Sequence, residues 1–169
     1  MKKIIMKFLL ITSLLSLLAA CATTSSSKKP VSLENAISQT SHFIETRFTE
    51  KVRVAVLNIS FESDNVSQYT IDELISSLVN AGNITVVDRQ QSDLIMAERH
   101  LQLSGEVSDE TAQGIGKTLG VQYIITGSLI ETGIGFRLQT KILNVETREI
   151  TGTFAVDINR KDKQINYLY

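Results

Sequence analysis

The sequence holds one cysteine, one proline and no tryptophan in 169 residues. A single cysteine excludes an intrachain disulfide framework in any compartment. Histidine is nearly as scarce: His42 and His100 are the only two. They lack the paired spacing of a metal-binding helix, so a zinc site would need further ligands from unrelated places. Positive charge is not in surplus either. The chain has 17 basic and 18 acidic residues, and with Lys2, Lys3 and Lys7 set apart in the leader, 14 basic residues face 18 acidic ones, a net −4. That balance gives no electrostatic footprint for nucleic acid. An apolar fraction of 43% with so little proline describes one folded domain with a core.

No apolar run reaches the ~20 residues that a membrane-spanning helix needs. The longest, residues 8–20, follows the three lysines and has the length of a signal-peptide core, so it targets and does not span. It ends Leu18-Ala19-Ala20-Cys21, which resembles the lipobox of bacterial lipoproteins. The resemblance implies cleavage before Cys21 and a diacylglyceryl thioether on its sulfur. It also implies a further fatty acid, such as palmitate, on the new amino group. More than one acyl chain makes attachment stable, and Cys21 is then an anchor, not a nucleophile. An ordinary secretory signal cut after Ala20 is the alternative reading. Ala22 stands where an aspartate would signal inner-membrane retention under the enterobacterial sorting rule. The expectation is a lipid-anchored outer-membrane protein of the cell envelope, its domain facing the periplasm.

Residues 21–30 (CATTSSSKKP) are the lipidated cysteine and a small, polar tether. The nine residues after Cys21 span roughly 30 Å at full extension. Over residues 31–48, Leu33, Ala36, Ile37, Ile44 and Phe48 fall at mostly helical spacing behind Ser32 as N-cap, predicting an amphipathic helix packed on the domain. Residues 49–159 form that domain. A strand with apolar side chains on both faces is expected over 51–59, then a polar loop over 60–66. Ile71, Leu74, Ile75, Leu78 and Val79 mark a helix with one buried stripe, and Gly82 stands where its C-cap belongs. A strand over 84–87 precedes a helix over 88–101, with Leu94, Ile95 and Leu101 inward, and a turn at 103–107. Ser108 caps a third helix with Asp109 and Glu110 in its first turn. Ala112, Ile115, Gly116 and Leu119 form its stripe, and Gly120 closes it.

Three strands follow, over 122–131, 136–145 and 150–158, joined by tight turns at 133–135 and 146–148. In the middle strand Phe136, Leu138, Thr140 and Ile142 alternate with Arg137, Gln139 and Lys141, so one face is wet. The fold class is α/β (α+β): a mixed sheet with helices against it, ending in an antiparallel three-strand meander. Residues 160–169, a C-terminal tail, are polar apart from the last aromatics and are expected to lie loosely on the surface.

Gly114-Ile115-Gly116-Lys117-Thr118 looks like the end of a phosphate-binding loop, but that motif needs glycine where Thr111 stands, and it must leave a strand. The better reading is close helix packing at the glycines with Lys117 in solvent, and no nucleotide. No serine sits in a nucleophile elbow, and Asp88, Asp93 and Glu98 flank a helix start, where capping or ion pairing explains them. No catalytic residue, metal or cofactor is expected beyond the covalent lipid on Cys21.

The stretches VAVLNI, IDELISSLV, ITVVDRQQSDLI, LQLSGEVSDETAQGIGKTLG, YIITGSL and LQTKILNVETREI together resemble the CsgG and LpoB group of bacterial lipoproteins. The group includes FlgO-like flagellar proteins and is related in fold to the N-terminal domain of TolB. In it, LpoB-like members activate a bifunctional penicillin-binding protein, whereas CsgG-like members oligomerise into a secretion channel. A channel subunit needs extra strands that this length leaves no room for. The enterobacterial activator has a long disordered tether, and this one is short. The resemblance implies a non-enzymatic protein that binds a periplasmic protein partner, foremost as a regulator of peptidoglycan synthesis by a penicillin-binding protein. The alternative is a self-associating structural or assembly subunit of an envelope complex, secretory or flagellar. Asp88 and Arg89 match the group's VDR motif, as a partner motif or as an ion pair fixing the strand-to-helix turn.

Overall fold

The computed structural model describes residues 29–87, 90 and 108–169. The lipobox from Leu18 to Cys21, the tether through Lys28, the helix expected over 88–101 apart from residue 90, the turn at 103–107, the pair Asp88 and Arg89, and His100 lie outside the described residues.

In chain order the described elements are α1 (Leu33–Glu45), β1 (Val52–Ser60), α2 (Asp64–Val79), β2 (Ile84–Val86), α3 (Asp109–Leu119), β3 (Tyr123–Thr132), β4 (Gly135–Asn144), β5 (Ile150–Asn159) and α4 (Lys163–Leu168). The strands form one sheet in the order β2-β1-β3-β4-β5. β1 is parallel to β2 and β3, while β3, β4 and β5 make the expected antiparallel meander. This is the mixed α+β architecture that the alternation and turn signals predict.

Burial on both sides of β1 follows from its composition, because each face of the sheet meets helices. Val54, Val56, Ile125, Leu138 and Ile142 pack with Leu33 and Ile44 of α1, Leu74 and Leu78 of α2, and Ile165 of α4. On the other face Ala55, Leu57, Ile124 and Leu143 pack against Ala112, Ile115 and Leu119 of α3. The β1–β3 register shifts between Val56 and Asn58. That bulge puts Leu57 and Asn58 in succession on the α3 face, and Ile59 returns to the first core.

Local chemistry sets the helix ends. Ser32 Oγ accepts from the Asn35 amide at 3.3 Å and Ser108 Oγ from the Thr111 amide at 3.3 Å. Gly120, at φ 64°, ends α3 in the left-handed conformation. Gly116 lies where α3 meets the sheet: a Cβ there would sit 2.6 Å from Val145 Cγ2 and 3.0 Å from Ile124 side-chain carbons. Gly116→Ala therefore overpacks a seam whose neighbours must shift, and the gain in helix propensity offsets only part of that. We expect a net loss of about 1–2 kcal/mol, read as a lower urea midpoint at unchanged slope.

Four expectations are corrected. The stretch over 60–66 is not all loop, since α2 already begins at Asp64. Val79 does not belong to the buried stripe: it is 55% exposed. It lies eight residues from Ile71, and at about 100° per residue that is a quarter-turn-sized drift off the stripe. Gly82 is left-handed at φ 76°, but the cap of α2 is Asn80, in the right-handed helical region. Nor does the C-terminal segment lie loosely. Asp162 caps α4, accepting from the amides of Gln164 at 3.0 Å and Ile165 at 3.1 Å, and its other oxygen accepts from the Leu33 amide at 3.0 Å. Ile165 is 1% exposed.

β5 is an edge strand. Among the described residues its outer side is paired only near its end, where the Val31 amide donates to Asp157 O and the Asn159 amide to Val31 O, each at 2.9 Å. The β3–β4 turn is Gly133-Ile134, closed by the pair Thr132 and Gly135. At the β4–β5 turn Asn144 Oδ1 accepts from the amides of Glu146 and Thr147, and Arg148 takes φ 67°.

Candidate partner-binding face

Beyond the area that α3 covers, the meander presents a polar face. Its rows follow from the register: Ile130, Arg137 and Asp157; then Ser128, Gln139 and Ala155; then Thr126, Lys141 and Thr153. Apart from Ile130 and Ala155 these side chains are polar or charged, and strand alternation sorts them onto one side while Leu129, Phe136, Leu138 and Ile142 turn to the core on the other. Where the rows meet the β1 bulge there is a recess of about 340 Å³. Asn58, Thr126, Ser128, Gln139, Lys141 and Thr153 are among its lining residues.

Two ion pairs frame this face. Arg137 Nε lies 2.6 Å from Asp157 Oδ1, and its Nη2 lies 3.1 Å from Oδ2, a two-point cross-strand pair. The hydrogen bond to Asp157, with its charge, holds the guanidinium above its ordinary pKa. Lys141 Nζ lies 2.5 Å from Asp109 Oδ1, tying the strand to the first turn of α3. Thr126 is 6% exposed and its Oγ1 has no hydrogen-bond partner among the described residues. These are groups for binding: hydroxyls, amides and two cations already held by carboxylates.

The glycine-rich stretch from Gly114 to Thr118 lies wholly inside α3, with Lys117 exposed and Thr118 Oγ1 donating back to Gly114 O at 3.0 Å. His42 lies on the surface, its side chain 78% exposed and 3.8 Å from Glu45. Among the described residues no three potential metal ligands cluster, and no helix is long and apolar enough to cross a membrane. The residues singled out from sequence as sites, Cys21 with its lipobox and Asp88 with Arg89, lie outside the described residues. Alternation in β4 signals that Arg137, Gln139 and Lys141 share a side. Their partners Asp157, Ala155 and Thr153 require the pairing register as well.

The family model described as the curli production assembly/transport component CsgG matches residues 23–139. Among solved structures, the LpoB C-terminal domain from Salmonella enterica is 21% identical, with 75% of this chain and 96% of that one covered, at a TM-score of 0.57. The LpoB C-terminal domain from Escherichia coli is 19% identical over 73% of this chain and 96% of that one, at 0.61. The NMR structure of Escherichia coli LpoB is 18% identical over 75% and 67%, at 0.62. No curated protein sequence matches the chain. At these identities the structural likeness establishes a shared fold, and the family match, which spans well over half of the sequence, establishes that the chain belongs to the CsgG family.

Proposed function

We propose that the protein is an envelope lipoprotein, anchored through acylated Cys21 to the outer membrane. Its domain binds a protein partner in the periplasm and carries no chemistry of its own. The observation that carries this reading is the family match over residues 23–139 on an LpoB-like fold. The polar meander face supports it, because its side chains offer hydrogen bonds and ion-paired cations to a partner surface. Within that reading the partner is the peptidoglycan-synthesis machinery, a penicillin-binding protein whose activity the lipoprotein regulates. A second reading, an assembly subunit that self-associates in a secretion or flagellar complex, is favoured by the family's own description as an assembly and transport component.

A crosslinked pull-down from cell envelopes separates them, using wild type, Cys21→Ala and Gln139→Trp, with mass spectrometry of what is retained. The regulator reading expects a penicillin-binding protein with wild type, and its loss in both variants. Gln139 is exposed at the centre of the meander face, so its replacement blocks docking without touching the core. Recovery of only the lipoprotein itself, or of secretion or flagellar parts, overturns the regulator reading in favour of the assembly subunit.

A further inference from the structure

Exposed large apolar side chains are not scattered evenly over the domain. Six occur among the described residues, and four of them, Ile130, Ile134, Tyr167 and Tyr169, lie at one end of the sheet. The covalent and hydrogen-bonded frame of that end is well defined. Ile134 is the tip of the β3–β4 turn, and Gly135 beside it pairs with Asn159. Arg160 then clamps the hairpin to the C-terminal segment, its Nη1 2.8 Å from Glu131 Oε1 and its Nη2 2.7 Å from Thr132 O. The Tyr169 ring packs edge-on against Phe61 at 5.8 Å, and its hydroxyl donates to Glu62 at 2.6 Å. α4 turns Ile165 into the core and leaves Tyr167, two residues on, 84% exposed.

The N-terminal chain arrives at this same end. Val31 pairs with Ile158, one residue from the Asn159 and Gly135 pair. Between Cys21 and Val31 the chain can reach at most about 35 Å, and an unstretched segment of that length covers roughly half as much. β4, with ten residues, is itself about 30 Å long. The opposite end of the sheet, where Val79 and Ile150 are exposed, therefore lies about a strand length from the point where the tether joins the fold at Val31. The end where the tether emerges is the one that a short tether holds close to its membrane.

We propose that the end formed by the β3–β4 hairpin and α4 rests on the lipid surface, with Ile134 and Tyr167 entering the headgroup region and Tyr169 beside them. The inference rests on the lipid-anchor reading of Cys21. The chemistry fits an interface more than a bilayer interior: tyrosine presents an apolar ring with a polar tip, and such residues gather at headgroup depth. The patch is small, so it orients a chain that the acyl groups already hold rather than recruiting one from solution. It also sets which part of the domain is free. With this end down, the opposite end and the flanks of the sheet face the periplasm.

The absence of tryptophan makes the test direct. Full-length lipidated chains carrying Ile134→Trp, Tyr167→Trp or Val79→Trp are each reconstituted into phosphatidylcholine vesicles, with and without brominated acyl chains, and emission is compared. All three positions are exposed, so a matching thermal melt checks that each variant folds as wild type does. The expected result is a blue-shifted emission that bromine quenches strongly for Ile134→Trp and Tyr167→Trp, with Val79→Trp unquenched. Equal or no quenching at the three positions, with intact mass showing acylated Cys21, overturns the surface and leaves the anchor standing. An intact mass without acyl chains overturns the anchor, and the inference falls with it. Protection of the two sites from aqueous quenchers only in native envelopes, and not in vesicles, assigns this end to a protein partner and overturns the lipid proposal.

Discussion

Asp162→Ala will melt well below the wild-type protein, by roughly 6–12 °C, corresponding to about 3 kcal/mol for a domain of this size. The carboxylate is 7% exposed and accepts three backbone amides from two distant parts of the chain. Two of them belong to the first turn of α4, and the third is the Leu33 amide, an N-terminal donor of α1 with no partner inside its own helix. Alanine leaves all three unpaired, two of them in buried surroundings, and a buried donor without an acceptor costs about 1–3 kcal/mol. Asp162→Asn restores a single carbonyl acceptor. It can cap α4 but presents its NH2 group to Leu33, so it recovers about half the loss. Thermal unfolding followed by circular dichroism checks both. If Asp162→Ala melts within a degree or two of wild type, α4 is not coupled to α1 through this carboxylate.

Gly135→Ala should be of similar severity, about 3–4 kcal/mol, for a different reason. Gly135 takes φ 154°, where a side chain is strained, and a Cβ built there would lie 2.1 Å from Ile158 O and 2.8 Å from the Arg160 amide nitrogen. Those atoms are backbone of the neighbouring strand and its exit, so relief requires moving the end of β5 away from β4. Gly133 is the internal control, since a Cβ at that position meets nothing within 4 Å. In urea titrations Gly133→Ala is expected to stay within about 0.5 kcal/mol of wild type, while Gly135→Ala shifts the midpoint strongly. Equal shifts for the two would mean that the turn, not the close approach of β5, sets the effect.

These two positions also mark where sequence reading succeeded and where it could not. The turn at Gly133-Ile134-Gly135 was legible because glycines interrupt two alternating runs, and the ends of α3 because Ser108, Asp109 and Gly120 are local signals with local partners. β4's alternation sorted Arg137, Gln139 and Lys141 onto one face without any knowledge of neighbours. Asp162 was not legible in the same way. Its capping of α4 is short-range, but a six-residue helix is too brief for periodicity to reveal, and its bond to Leu33 crosses 129 residues of sequence. Thr40 and Thr70 are similar cases. Both are fully buried, their hydroxyls donating to the carbonyls of Ala36 and Val66 four residues back, so polar letters in the sequence stand for core positions. Of the candidate site, the wet face was readable. The recess beside the β1 bulge was not, because a bulge is a property of pairing and not of one strand.

The outer side of β5 has a consequence for handling and for cells alike. Its sequence, ITGTFAVDIN, holds neither lysine nor proline, the residues with which natural edge strands deter unwanted neighbours. From Ile150 to Val156 no strand covers it among the described residues. Backbone donors and acceptors there form a template for another strand, from a second copy or from an unfolding chain. A protein overproduced at high concentration in bulk solution meets such templates in every orientation, and slow growth of sheet-rich aggregates is the expected failure. Under the anchoring proposed above, chains held to one membrane by a common end would meet with their edges constrained by that surface, so the strand that is a hazard in the test tube would find fewer partners where the acylated Cys21 holds it.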